Sequence, residues 1–110
     1  MENQNTEYKE SWSDEYIKWI CGFANASGGK MYIGIDDKGN ITGISDVKKL
    51  AEDLPNKVKD ILGLLVDVNI KKDSDKEYLE IITDAYLYPV NYKGTYYYRT
   101  GATNQQLQGA

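Results

Sequence analysis

Four acids and one tyrosine-rich basic strand are the parts of this 110-residue chain that could do chemistry. Asp36 and Asp37 end the apolar run Met31 to Ile35, and Glu2 and Glu7 stand in the N-terminal arm. If one aspartate turned inward to join the glutamates, the carboxylates would suit Mg²⁺ or Mn²⁺, which prefer oxygen ligands. A metal held that way can activate water against a phosphodiester. The competing reading is a hairpin turn, because aspartate side chains bond the backbone just beyond them. Spacing along the chain leaves both readings open.

The second candidate is Lys93-Gly-Thr-Tyr-Tyr-Tyr-Arg99. Six of the ten tyrosines fall between 86 and 98, and Arg99 is the one arginine beside twelve lysines. On a strand these side chains alternate in face, so Tyr97 points opposite to Tyr96 and Tyr98. Beside Lys93 and Arg99 they could form a stacking platform for unpaired bases. The plainer alternative is a sheet with half-buried tyrosines. Gly28-Gly29 follows a helix-like segment and precedes a strand. A phosphate cradle needs the reverse order, with the anion at a helix N-terminus. This pair therefore reads as a helix stop and a tight turn.

Composition narrows the classes. The chain has no histidine and one cysteine, Cys21, which excludes intrachain disulfides and histidine-based nucleophile or metal schemes. No apolar run approaches the ~20 residues that span a bilayer, and the polar N-terminus is unlike a signal peptide. A cytoplasmic location is expected. The net charge of -4 is unfavourable for duplex binding, which depends on phosphate neutralisation.

The elements that must position these residues follow from periodicity. Residues 1 to 6 read as irregular, and Thr6 to Glu10 as a short strand. Ser11 to Asp14 carries a capping pattern, followed by an apolar helical stripe from Tyr16 to Ala24. Met31 to Ile35 reads as a buried strand, Asp36 to Asn40 as a turn, and Ile41 to Ile44 as a short return strand. A second helix starts at Ser45 or Asp46 with Val47, Leu50, Ala51, Leu54, Val58, Ile61 and Leu62 inside. Pro55 should kink or split it. Leu64 to Lys71 and Tyr78 to Thr83 read as a strand pair. After a loop with Pro89, Gly94 to Thr100 is the last strand, and the tail is polar. The expected fold is α+β: one domain over 1–110, a mixed sheet and two helices in β-α-β-β-α-β-β-β order.

Several segments together resemble the AlbA_2 domain, also called the Schlafen-type AlbA domain. Glu2-x-x-x-x-Glu7-Tyr8-Lys9 is similar to its opening motif. Ile20-Cys-Gly-Phe-Ala-Asn25 is similar to its first-helix motif, with Gly22 where alanine is usual. Gly28 to Asp37, Gly39 to Gly43 and Pro89 to Asn104 resemble its glycine-aspartate and closing motifs, in the right order. The family occurs in bacterial proteins assigned as transcriptional regulators and in the Schlafen proteins, so the resemblance implies a nucleic-acid-binding domain of a regulator. Lys9, Lys93, Tyr97 and Arg99 are the contact candidates. In the nuclease members of the group, residues matching Glu2, Glu7 and Asp37 form a metal-dependent RNA-cutting site. The resemblance thus also implies a Mg²⁺- or Mn²⁺-dependent ribonuclease as an alternative. A third reading is a dimerisation or protein-interaction module, with the tyrosine-rich strand as an exposed sheet edge. A homodimer and a longer parent protein with this chain as its N-terminal domain are further expectations.

Overall fold

The computed structural model describes residues 2–107. Strand β1 (Thr6–Lys9) leads through a single 3₁₀ turn (Asp14–Tyr16) into helix α1 (Ile17–Asn25). Strand β2 (Gly29–Ile33) follows, then helix α2 (Val47–Leu62) and strands β3 (Asp67–Asp73) and β4 (Lys76–Thr83). The chain closes with β5 (Asn91–Tyr92), β6 (Thr95–Thr100) and β7 (Thr103–Gln106).

The α+β class with two helices is as expected, but the strands fall into two sheets. One is four-stranded, in the order β1-β2-β4-β3, and one is three-stranded, in the order β5-β6-β7. β1 runs parallel to β2, and the other pairings are antiparallel. Helix α1 packs against strands of both sheets, β2 and β4 on one side and β5, β6 and β7 on the other. That explains why Ile17, Ile20, Cys21, Gly22, Phe23 and Ala24 are all buried rather than forming one narrow stripe. Met31, Ile33, Leu79 and Ile81 face the helices from the larger sheet, and Leu54 and Val58 of α2 complete the core.

Three expectations about elements need correction. The return strand at Ile41 to Ile44 reduces to one bridge, Ile35 to Ile41. Gly34 and Gly43 both take positive φ, and Gly34 O accepts from Thr42 and Gly43 N–H, which curls the chain out of a ladder. Helix α2 is one element through Pro55, so the proline does not split it. Leu54 and Val58 are both fully buried, so packing on either side of the proline offsets its missing hydrogen bond. The polar tail contains β7, and Gln4 ties the turn before it to the N-terminal arm, since its side chain donates to Arg99 O and accepts from Gly101 N–H at 2.9 and 2.6 Å.

The motif glycines and Asn25 serve this architecture. Asn25 accepts from Val90 N–H and donates to Val90 O and Tyr97 O, at 2.7 to 2.8 Å, tying the 84–90 loop and β6 to α1. Gly28 takes φ 79°, and a Cβ there would stand 2.7 Å from Thr83 O. The turn reading of Gly28-Gly29 needs no ligand.

Candidate functional site

Successive residues of a strand face opposite ways, so the larger sheet offers two chemistries. Glu7 on β1 points toward α1, and Tyr8 points to the face away from the helices. Likewise Ile81 on β4 is core, and Glu80 lies on the outer side.

On the inner side Glu7 is nearly buried, 4% exposed, and meets Arg99, which is 0% exposed. The guanidinium donates to Glu7 Oε1 at 2.6 Å and to the carbonyls of Asn3 and Thr6 at 2.7 and 2.9 Å. It lies over the Phe23 ring at 4.9 Å. Lys9 Nζ approaches Glu7 Oε2 at 3.1 Å and sits over the rings of Trp19 and Tyr16, 4.5 and 4.8 Å from their centroids. The Glu2 carboxylate accepts from Tyr8 N–H at 3.0 Å and lies beside the Glu7 side chain. Burial, and then the Glu2 neighbour, push the Glu7 carboxyl above its ordinary range, against Arg99 and Lys9. Burial works the same way on Glu2, yet its bonds from Glu7 and the Tyr8 amide, with the nearby cations, hold it below that range. The two carboxyls form a coupled pair whose members are driven apart.

The structure therefore brings Glu2, Glu7 and Lys9 together, and Asp37 does not join them. Asp37 is exposed in the turn after β2. Its neighbour Asp36 makes that turn by accepting from Lys38 N–H and Asn40 N–H, both at 2.9 Å. Among the described residues no group of three His, Cys, Asp or Glu side chains stands together to hold a metal ion. Glu7 is already engaged by two cations. As arranged, these residues do not fit a three-acid Mg²⁺ or Mn²⁺ site.

The nucleic-acid candidates also separate. Arg99 has no surface to offer a phosphate, because its charge is spent inside the fold holding β6 to β1. Tyr97 points inward, half-buried against the core and edge-on to Tyr92 at 6.4 Å. Lys9 is 21% exposed, with its ammonium in the Glu7 and aromatic setting. Lys93 is exposed, in a turn at φ 51°. Nor is the tyrosine-rich strand a sheet edge: β6 is the middle strand of its sheet.

The outer face of the larger sheet carries a group that the sequence reading missed. Tyr8 on β1, Tyr32 on β2 and Tyr78 on β4 form a row across three adjacent strands, with ring centroids 6.0 and 6.2 Å apart. Glu80 lies in register with Tyr32 and accepts from its hydroxyl at 3.1 Å and from Asn69 Nδ2 at 3.1 Å. Lys30 and Lys71 stand on either side of Glu80, each 3.7 Å from one of its oxygens and about half exposed (50% and 47%). Burial and the Glu80 bond push the Tyr32 hydroxyl up to about 12. Glu80 is held below the carboxylate range despite burial, by Asn69, Tyr32 and the two lysines. The available signal was the alternation Lys30-Met31-Tyr32-Ile33, apolar on one face and basic-aromatic on the other.

Comparison with known proteins follows the same lines. The Schlafen, AlbA_2 family model matches residues 2–108. A Corynebacterium diphtheriae protein, DIP2311, superposes with a TM-score of 0.77 at 20% identity, covering 94% of this chain and 22% of its own. The chain thus spans about a fifth of that protein. The N-terminal domain of a Nitrosomonas europaea protein, a "Putative ATP-dependent DNA Helicase RecG-related Protein", superposes at 0.65 and 20% identity, covering 96% of this chain and 83% of its own. At this identity the two structures speak to the fold. None of the curated proteins matches the sequence.

Proposed function

The chain belongs to the Schlafen AlbA_2 family, and on that premise we propose that it binds single-stranded nucleic acid through the outer face of the four-stranded sheet, as the nucleic-acid-contacting domain of a transcriptional regulator. One observation carries this reading: three tyrosines form a row across adjacent strands, and two half-exposed lysines stand beside it on the same face, flanking Glu80. Unpaired bases stack on aromatic rings whatever their identity, and lysines beside them take the phosphates. The lysines exceed the single charge of Glu80 by one. With a chain charge of -4, binding should be modest and strongly salt-dependent. The Nitrosomonas relative, named as DNA helicase-related, agrees with a nucleic-acid setting.

The test is fluorescence anisotropy with labelled single-stranded RNA and DNA at low salt, in EDTA. Tyr32→Ala should weaken binding about tenfold, from a stacking contribution of ~1–3 kcal/mol per base. Lys30→Ala with Lys71→Ala should reduce the salt slope. Lys93→Ala should change little. Unchanged affinity in Tyr32→Ala would remove this face from the reading.

A second reading, a Mg²⁺- or Mn²⁺-dependent ribonuclease, rests on the family and on Glu2 being held to β1 at the Tyr8 amide, the residue after Glu7. It requires Asp37 to join them. Labelled RNA on a denaturing gel separates the two. Fragments that appear with Mn²⁺ and vanish in Asp37→Ala support cutting, whereas a mobility shift on a native gel without fragments supports binding alone.

A further inference from the structure

We infer that the outer face of the three-stranded sheet, with the loop beside it, is a self-association surface that pairs this chain with a second copy of itself. Eight large apolar side chains are exposed among the described residues, and six of them, Tyr86, Leu87, Tyr88, Tyr96, Tyr98 and Leu107, line one shallow cavity. Leu87 and Tyr88 are 96% and 81% exposed. They are not on a loose loop. Tyr86 N–H donates to Ala24 O at 2.8 Å, the Tyr86 hydroxyl accepts from Leu65 N–H, and Asn25 holds Val90 from both its amide and its carbonyl. The strap is fixed at each end with its apolar side chains held outward. Tyr96 and Tyr98 share the side of β6 opposite to Tyr97 and Arg99, and Leu107 joins them by donating to Tyr96 O.

The composition of the face selects the occupant. Its lining contains no charged residue, so a nucleic acid finds no cation for its phosphates there. Two copies of a chain with net charge -4 repel each other over most of their surface, and an uncharged apolar face is where that repulsion is weakest. The exposed apolar area is on the order of 600 Å², judged from the size of these side chains and their exposure. That approaches the ~800 Å² per partner of a standard interface and stands at the top of the ~300–600 Å² range of the largest apolar patch on an ordinary monomer. A two-fold axis that stacks this face on its own copy gives the self-complementary apolar interface a dimer needs.

This inference is independent of the nucleic-acid reading, since the two faces belong to different sheets. Analytical ultracentrifugation of the full chain, up to about 200 µM, covers the micromolar range expected for an interface of this size. We expect a species of twice the 12.5 kDa chain mass. Leu87→Lys with Tyr88→Lys should raise its dissociation constant at least tenfold and leave the thermal midpoint of the monomer unchanged, because both side chains are exposed. Tyr98→Lys should act in the same direction. A chain that stays monomeric at the highest concentration overturns the inference, and so does a dimer indifferent to these substitutions.

Discussion

Two carboxylates on opposite faces of one sheet invite comparison. Glu7 and Glu80 are both nearly buried, 4% and 7% exposed, and each meets two cations. The difference lies in where those cations go. Arg99 is enclosed and Lys9 largely so, whereas Lys30 and Lys71 are half exposed. The first group spends its charge holding β1, β6 and α1 together. The second keeps cationic surface beside a row of aromatic rings. Basic and aromatic residues near a carboxylate therefore do not announce function. The exposure of the cation decides it.

The largest effect expected from breaking this comparison is at Arg99. Arg99→Ala removes the buried guanidinium from the Glu7 carboxyl, which keeps only Lys9, and from the carbonyls of Asn3 and Thr6, which keep only each other's N–H. Removing one member of a buried pair costs about 3–5 kcal/mol, and denaturant unfolding should show a loss of that size. Lysine should not rescue it, since one ammonium cannot replace a planar fork bonded to three acceptors. At temperatures where the variant remains folded, its nucleic-acid affinity should match the parent. A selective loss of affinity without loss of stability would make Arg99 a contact residue after all.

The enclosed side is also the more closely packed, and Gly22 tests that. A Cβ at position 22 would stand 1.8 Å from Asn104 Oδ1. Asn104 is fixed by its bond to Lys18 O at 3.0 Å, so it must give up that bond to make room. Gly→Ala inside a helix gains about 1 kcal/mol, and the lost hydrogen bond costs about as much or more. Gly22→Ala alone should thus be neutral to destabilising by about 1 kcal/mol. In an Asn104→Ala background the same change should stabilise by up to ~1 kcal/mol. This change of sign, read by thermal unfolding in a double-mutant cycle, is the signature of the contact.

That contact also shows what was legible in the sequence. The helices, the β3–β4 hairpin, the Gly28 stop and the α+β class follow from periodicity and turn chemistry, which act locally. The motif residues were visible too, including Glu7, Asn25 and Arg99. Their roles were not, because each role is a long-range contact: Arg99 to Glu7 spans 92 positions and Asn25 to Tyr97 spans 72. An arginine beside three tyrosines reads as a nucleic-acid contact until the fold buries it. The second sheet was missed for a related reason. β7, Thr-Asn-Gln-Gln, has no apolar alternation, and it is held by β6 and by Asn104 reaching the backbone of α1. The tyrosine row needed the register of β1, β2 and β4, which no single segment contains.

On the outer face, Glu80→Gln sharpens the comparison by acting on two observables. Glu80 has its pKa lowered in the fold, so its ionised form stabilises the native state above the ordinary carboxyl value of 4.5 and that contribution fades as the pH falls. The glutamine variant should lose stability near neutral pH and lose less on acidification, flattening the acid limb of the stability curve. It also leaves Lys30 and Lys71 without their counter-charge. Affinity for single-stranded nucleic acid should rise severalfold at low salt, with a steeper salt slope. The equivalent Glu7→Gln change should cost stability and leave affinity as it is.

The smallest effect is at the Tyr32 hydroxyl. Its pKa is shifted the other way, up to about 12 from 10.0, by burial and by the Glu80 carboxylate. A raised value favours the neutral form, so the native state holds this contribution in full below pH 10.0 and loses it as the pH climbs toward 12. Tyr32→Phe keeps the ring and removes the titration. In ultraviolet difference titration the variant should lack one tyrosine step at the alkaline end, and its stability should fall less steeply over that range. Near neutral pH it should lose about 1 kcal/mol, the net worth of one hydrogen bond to a charged acceptor at a partly exposed site. Base stacking uses the ring face and not the hydroxyl, so affinity should be retained in Tyr32→Phe and lost in Tyr32→Ala. If both variants lost affinity equally, the hydroxyl and Glu80 would be reading the ligand by hydrogen bonds, and the face would discriminate among bases.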